Sequence, residues 1–208
     1  VPAPSEVSSL TLNRLSIYLR CLRQLLEQST ARVSSQELAR RFHLSAAQIR
    51  KDLAQFGEFG IRGVGYDVRH LAERLHDLLG LGERHALIIV GMGNLGSALA
   101  RYLGFNAGGF EVVAGVDIDP QRVGKQVGHL RVRPSRELRA LVRELEVAIG
   151  VLTVPPEAAR ENYEALIEAG VAAVLNFAPV RLEPHPDVRL KNVDLRINLE
   201  ELAYFLKD

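Results

Sequence analysis

The chain has 208 residues, 47% of them hydrophobic, with 26 basic against 25 acidic side chains and a single cysteine. That composition supports the core of one large domain or two modest ones in a soluble globular protein. No apolar run approaches the roughly 20 residues of a membrane span, and Val1-Pro2-Ala3-Pro4 carries no basic, apolar secretory pattern, so a cytoplasmic protein is expected.

The charge is nearly balanced but unevenly placed. Residues 1–85 carry 12 basic and 9 acidic side chains, against 14 and 16 in the remainder, which suits the two halves to different partners. From Leu10 to Gln28, Leu15, Leu19, Leu22 and Leu26 recur at helical spacing and predict a helix with one buried stripe. Cys21 falls in that pattern beside Leu22 and Leu25, where a core thiol is expected rather than a redox centre. Ser34-Ser35-Gln36-Glu37 and Ser45-Ala46-Ala47-Gln48 each fit the capping box that starts a helix, and Arg41-Phe42-His43-Leu44 forms the turn between them. The pair reads as a helix-turn-helix.

In its second helix, Ile49, Leu53 and Phe56 share one side, leaving Gln48, Arg50, Lys51 and Gln55 toward other faces. Long amide and guanidinium side chains on such a helix can reach base edges or phosphates in the major groove. The segment from Phe56 to Tyr66 has glycines at its bends and β-prone residues between them, as a short wing hairpin requires, with Arg62 near the tip. Ser45, Gln48, Arg50, Lys51, Gln55 and Arg62 are therefore the candidate DNA contacts. A further helical pattern from Leu71 to Leu79 stops at Gly80-Leu81-Gly82, and residues 1–82 form the expected winged-helix domain.

Residues 83–196 read as a Rossmann-like, doubly wound parallel sheet. The apolar run Leu87 to Val90 is followed by Gly91-Met92-Gly93-Asn94-Leu95-Gly96, which opens a helix. In that pattern the first glycine permits the turn, the second lets backbone approach a pyrophosphate, and the third lets helix pack on strand. The apolar run Val112 to Val116 ends in Asp117, where a carboxylate can accept from ribose hydroxyls. The next residue is Ile118 rather than an arginine, so NAD is expected over NADP. Strands are predicted near 86–90, 110–116, 129–132, 147–153 and 171–175, with helices near 94–103, 135–145 and 156–169. Thr153-Val154-Pro155 and Asn176-Phe177-Ala178-Pro179 follow strand ends, where open α/β sheets bind ligands, and are candidates for the nicotinamide side.

Residues 197–208 form a last helix, on which Leu199, Leu202 and Leu206 make an apolar stripe expected to bury against a second subunit. Tyr102 is a candidate to exchange a hydrogen bond with Asp194 when the nucleotide changes redox state.

The segments Tyr18-Leu19-Arg20, Arg50-Lys51-Asp52-Leu53, Phe56 to Tyr66, Val90 to Gly96, Val116-Asp117-Ile118-Asp119-Pro120, Thr153-Val154-Pro155 and Asn176 to Pro179 stand in register with one known family. Together they resemble the bacterial redox-sensing repressors of the Rex family over nearly the whole chain. The resemblance implies a homodimer whose C-terminal helices pack into the partner subunit. It also implies binding of NADH and NAD⁺, and operator DNA released when NADH rises.

Two other classes compete: an NAD-dependent dehydrogenase, and a coenzyme A or nucleotide-binding subunit whose first helices mediate assembly. Few residues remain after the Rossmann core for a substrate domain. The Tyr-x-x-x-Lys pair of short-chain dehydrogenases is absent, because the residues four after each tyrosine are Leu22, His70, Asn106, Ile167 and Asp208. No catalytic residue and no metal site is expected, and the basic wing argues against a mere assembly domain.

Overall fold

The computed structural model describes residues 7–61, 63–105 and 108–206, and the chain divides into two compact units, Val1–Glu83 and Arg84–Asp208. In the first, helix α1 (Ser9–Glu27) begins where the Ser8 hydroxyl accepts the Thr11 N–H at 3.1 Å. It buries Thr11, Leu15, Tyr18, Leu19, Cys21, Leu22 and Leu25 and leaves Leu26 half-buried, so the expected stripe is broader and centred toward Tyr18 and Leu25 rather than Leu26. Strand β1 (Arg32–Val33) leads to α2 (Ser35–Phe42) and α3 (Ala46–Ala54). Both helices start at the expected caps, with Ser34 accepting from Glu37 N–H and Ser45 from Gln48 N–H. His43, in the left-handed region at φ 54°, closes α2 and turns the chain toward α3.

The wing is the hairpin β2 (Gly60–Ile61) and β3 (Gly65–Asp67), and β1 adds a third antiparallel strand through Val33 opposite Tyr66. Gly65 sits at φ +88°, and a Cβ there would lie 2.6 Å from the Val33 carbonyl oxygen, so this strand pairing depends on glycine. Helix α4 (Val68–Leu78), capped by Asp67, packs Val68, Leu71 and Leu75 onto the α1 core.

The second unit is built on β4 (His85–Val90), α5 (Asn94–Ala100), β5 (Phe110–Asp117), the small hairpin β6 (Gln126–Val127) and β7 (Leu130–Arg131), and β8 (Arg133–Pro134). It continues through a 3₁₀ turn, Ser135–Glu137, to α6 (Leu138–Glu144), β9 (Ile149–Leu152), α7 (Pro156–Ala169), β10 (Ala173–Asn176), β11 (Arg189–Asn192) and α8 (Leu195–Tyr204). Six strands form one parallel sheet in the order β11-β10-β9-β4-β5-β8. Alternation along β4 sends Ile88 and Val90 to the face covered by α6 and α7, and Leu87 and Ile89 to the face with Met92, Ala100 and Leu130.

Three expectations change. The strand expected near 129–132 is half of the β6–β7 hairpin, and the sheet is extended instead by the two-residue β8. The helix expected near 94–103 ends at Ala100. A sixth strand, β11, escapes the sequence reading because Arg189-Leu190-Lys191-Asn192 has the polar character of an edge strand rather than an apolar run.

Candidate functional site

Because β5 and β8 lie on one side of β4 and β9 and β10 on the other, the direction of winding reverses between β4 and β9. The crevice of an open α/β sheet opens there, beyond the carboxyl ends of the strands. Gly91, directly after β4, adopts φ +95°, and a Cβ on it would stand 2.8 Å from the Thr153 carbonyl oxygen. Thr153, directly after β9, returns the contact by donating its hydroxyl to Gly91 O at 2.6 Å. Gly96 brings α5 against the same place, since its Cβ would meet Gly91 O and lie 2.8 Å from Thr153 Oγ1. Gly93 differs: the Arg122 guanidinium, 3.7 Å away at Nη1, is all that its Cβ would approach. Two of the three glycines thus permit close packing, and Gly93 keeps a surface open. The first turn of α5, from Asn94 through Leu95, has no side-chain cap, which leaves its amides available to an anion.

A cavity of about 780 Å³ lies at this crevice, lined by Gly91, Gly93, Leu95, Asp117, Thr153, Val154, Pro155 and Pro179 among others. That volume and the glycine cradle fit a dinucleotide. Asn176 and Ala178 are buried behind it rather than lining it. The Asn176 amide donates to Val180 O and Asn192 Oδ1, both at 2.8 Å, and its oxygen accepts the Ala178 N–H, so it braces the loop that carries Pro179. Met92 is buried under β5, and its sulfur would lie 2.6 Å from a Cβ on Gly115.

Asp117 is less free than its position in sequence suggests. One carboxylate oxygen accepts the Met92 N–H at 2.7 Å and Arg122 Nη1 at 3.2 Å, and the other accepts the Asp119 N–H at 2.8 Å. It braces the glycine turn with most of its acceptor capacity already used. Arg122, five residues after Asp117, is the cation that pairs with it.

In the first unit, Ile49, Leu53 and Phe56 are buried while Ser45, Arg50, Lys51 and Gln55 are exposed on α3. Arg50 Nη1 donates to Ser35 Oγ at 2.9 Å, which holds it over the start of α2. A groove of about 980 Å³ runs between α3 and the wing, with Ser35, Arg50, Gly60 and Tyr66 in its walls. Burial pushes the Tyr66 hydroxyl pKa up, against the opposing charge of Arg50. Arg62 lies outside the described residues. Gln48, a candidate DNA contact, is half-buried and donates its amide to Asp52 Oδ1 at 2.7 Å. Asp52 itself, which sequence reasoning left without a role, is fully buried and also accepts from Arg14 and from the Tyr18 hydroxyl at 2.9 Å.

Tyr102 is exposed and packs edge-on against Phe105, with ring centroids 5.1 Å apart. Asp194 caps α8 by accepting the Arg196 N–H. Among the described residues the two are not hydrogen-bonded to each other. No residue of α8 is buried, and Leu199 and Leu202 are each more than 60% exposed, as is Leu206 beyond its end. Among the described residues no helix is long and apolar enough to cross a membrane, and no cluster of three or more His, Cys, Asp or Glu could hold a metal ion.

Residues 6–54 match the family model described as putative DNA-binding protein N-terminus, and residues 83–180 match the one described as CoA binding domain. The redox-sensing transcriptional repressor Rex of Syntrophomonas wolfei is 46% identical over 97% of this chain and 96% of its own length. That of Chloroflexus aggregans is 43% identical over 94% and 92%. Among solved structures, RSP in complex with β-NAD⁺ and operator DNA superimposes with a TM-score of 0.92 at 36% identity, covering 96% of this chain and 92% of that one. RSP in complex with β-NADH gives 0.88 at 35% identity, covering 97% and 94%. The chain belongs to the Rex family of redox-sensing transcriptional repressors.

Proposed function

We propose that this protein is a homodimeric repressor that holds operator DNA through its winged-helix unit and lets go when NADH occupies the crevice at Gly91–Gly96, and that it works in the cytoplasm, where bacterial DNA lies. The observation that carries this reading is the mutual contact of Gly91 and Thr153 at the reversal of the sheet, which opens a dinucleotide-sized cavity in a chain that also exposes Arg50 and Lys51 on α3. The amides of Gly93, Asn94 and Leu95 would receive the pyrophosphate, while Met92, whose N–H is taken by Asp117, and Gly96 shape the turn. Asp117 would offer the ribose its remaining acceptor capacity, and Thr153, Val154, Pro155 and Pro179 would face the nicotinamide, with Asn176 and Ala178 holding their loop. Bound nicotinamide contributes a ring that is cationic when oxidised and neutral when reduced. Every other step belongs to the chain.

On the DNA side, Arg50, Lys51 and Gln55 would address the major groove, Ser45 and Arg62 the backbone or minor groove, and Gln48 would act indirectly through Asp52. Leu199, Leu202 and Leu206 would bury against a second subunit, because seven large apolar side chains from Leu195 to Leu206 stand exposed on a single chain. Tyr102 would exchange a hydrogen bond with Asp194 as the nucleotide changes redox state. The family is one of repressors, so the dehydrogenase reading is set aside. Fluorescence anisotropy of a labelled operator duplex tests the proposal: NADH should displace the protein at concentrations where NAD⁺ does not. An operator complex unmoved by saturating NADH would refute it.

A further inference from the structure

A carboxylate at the end of β5 is the feature from which a preference for NADH over NADPH follows in sequence, yet Asp117 cannot enforce it alone. Its side chain is 4% exposed and its oxygens already accept from Met92, Asp119 and Arg122. Among the charged residues that line the cavity, which also include Arg136, Arg139 and Glu161, Asp119 and Arg122 form the pair beside Asp117, with side chains 35% and 47% exposed and Arg122 Nε 3.6 Å from Asp119 Oδ2. The same guanidinium is the group nearest the open side of Gly93. It therefore stands between the corner where a 2′-phosphate would arrive and the turn where a pyrophosphate would sit.

We infer that Arg122, held between Asp117 and Asp119, supplies the counter-charge for the nucleotide phosphates, and that Asp119 restrains it and so sets the discrimination against NADPH. The inference rests on the dinucleotide reading above. Asp117, Asp119 and Arg122 together carry one net negative charge. Removing Arg122 doubles that charge, which weakens NADH and weakens NADPH further, because NADPH carries the additional phosphate. Removing the charge of Asp119 cancels it and releases the guanidinium from one of its two partners, which favours NADPH selectively. A partly exposed charge at this range is worth about two- to fivefold in affinity.

The test is calorimetric titration of the intact protein and of Arg122→Gln and Asp119→Asn with NADH and NADPH, each variant checked for an unchanged thermal midpoint. Arg122→Gln should weaken NADH about two- to fivefold and NADPH more, and Asp119→Asn should narrow the NADPH-to-NADH ratio by about two- to fivefold. The two variants move the ratio in opposite directions, which misfolding cannot do. If the parent binds NADH and both variants keep its affinities and its ratio, the assignment of Arg122 is wrong while the nucleotide site stands. A parent that binds neither nucleotide overturns the site and this assignment together.

Discussion

Arg14 on α1 grips Asp52 on α3 with two hydrogen bonds, from Nε at 2.6 Å and from Nη2 at 2.8 Å, across 38 residues of sequence. Asp52 lies in the middle of the helix expected to read DNA, on its buried side, between exposed Lys51 and buried Leu53. With Tyr18 and Gln48 completing the shell, the network fixes α3 in rotation against α1, which apolar packing alone does less selectively.

Asp52→Ala should therefore cost stability and operator affinity together. It leaves the buried Tyr18 hydroxyl without its acceptor, a loss of about 1–3 kcal/mol by itself. Urea unfolding followed by circular dichroism would measure the loss. A variant as stable as the parent would show that the network does not hold the helix.

The same carboxylate predicts an acid transition. Burial pushes the Asp52 pKa up, but hydrogen bonds from Arg14, Gln48 and Tyr18 and the charge of Arg14 outweigh it, and the net direction is down. A depressed folded-state pKa means stabilisation that is fully present above the unfolded value near about 3.9 and lost as pH falls through the folded value. Thermal midpoints measured from pH 6 to pH 2 should fall in the parent, and fall less steeply in Asp52→Asn.

The glycines of the turn should separate by role. Gly96→Ala places a methyl group against Gly91 O and Thr153 Oγ1, so it should destabilise the second unit, by about 1–3 kcal/mol, as well as impair nucleotide binding. Gly93→Val points into open space beside Arg122, so the protein should remain folded and lose NADH binding. Thermal melts with and without NADH distinguish the two, and a Gly93→Val variant still stabilised by NADH would move the site elsewhere.

Much of this was legible from local pattern. Capping serines and the glycine turn are read over three to five neighbouring residues, and the structure has them at Ser34, Ser45 and Gly91–Gly96. What sequence concealed depends on partners far apart. Asp52 reads as one more polar residue until Arg14 is beside it, Asn176 reads as a ligand group until Asn192 takes its amide, and the two-residue strands β1 and β8 exist only through their pairing. Helical periodicity likewise gives the face of Gln48 but not the buried carboxylate that takes its amide.

Contacts on the exposed side of α3 should follow the division of roles. Arg50→Ala and Lys51→Ala should each leave stability unchanged, and the loss of operator affinity should reach about 1–3 kcal/mol where a bidentate base contact is broken. Operator affinity equal to the parent in both variants would count against α3 as the reading helix.

The exposed apolar residues Leu199, Leu202 and Leu206 make assembly measurable. Truncation before Leu199 should convert a dimer to a monomer in multi-angle light scattering, and a truncated chain that stayed dimeric would assign the interface to another surface.

The central claim is that nucleotide and operator are coupled through one protein, and coupling free energies are reciprocal. The most direct measurement is the NADH affinity of the free protein and of the operator-bound protein, compared with the operator affinity with and without saturating NADH. Operator DNA should weaken NADH binding by the same factor by which NADH weakens operator binding. Equal NADH affinity in the presence and absence of operator would contradict the account even if both ligands bind.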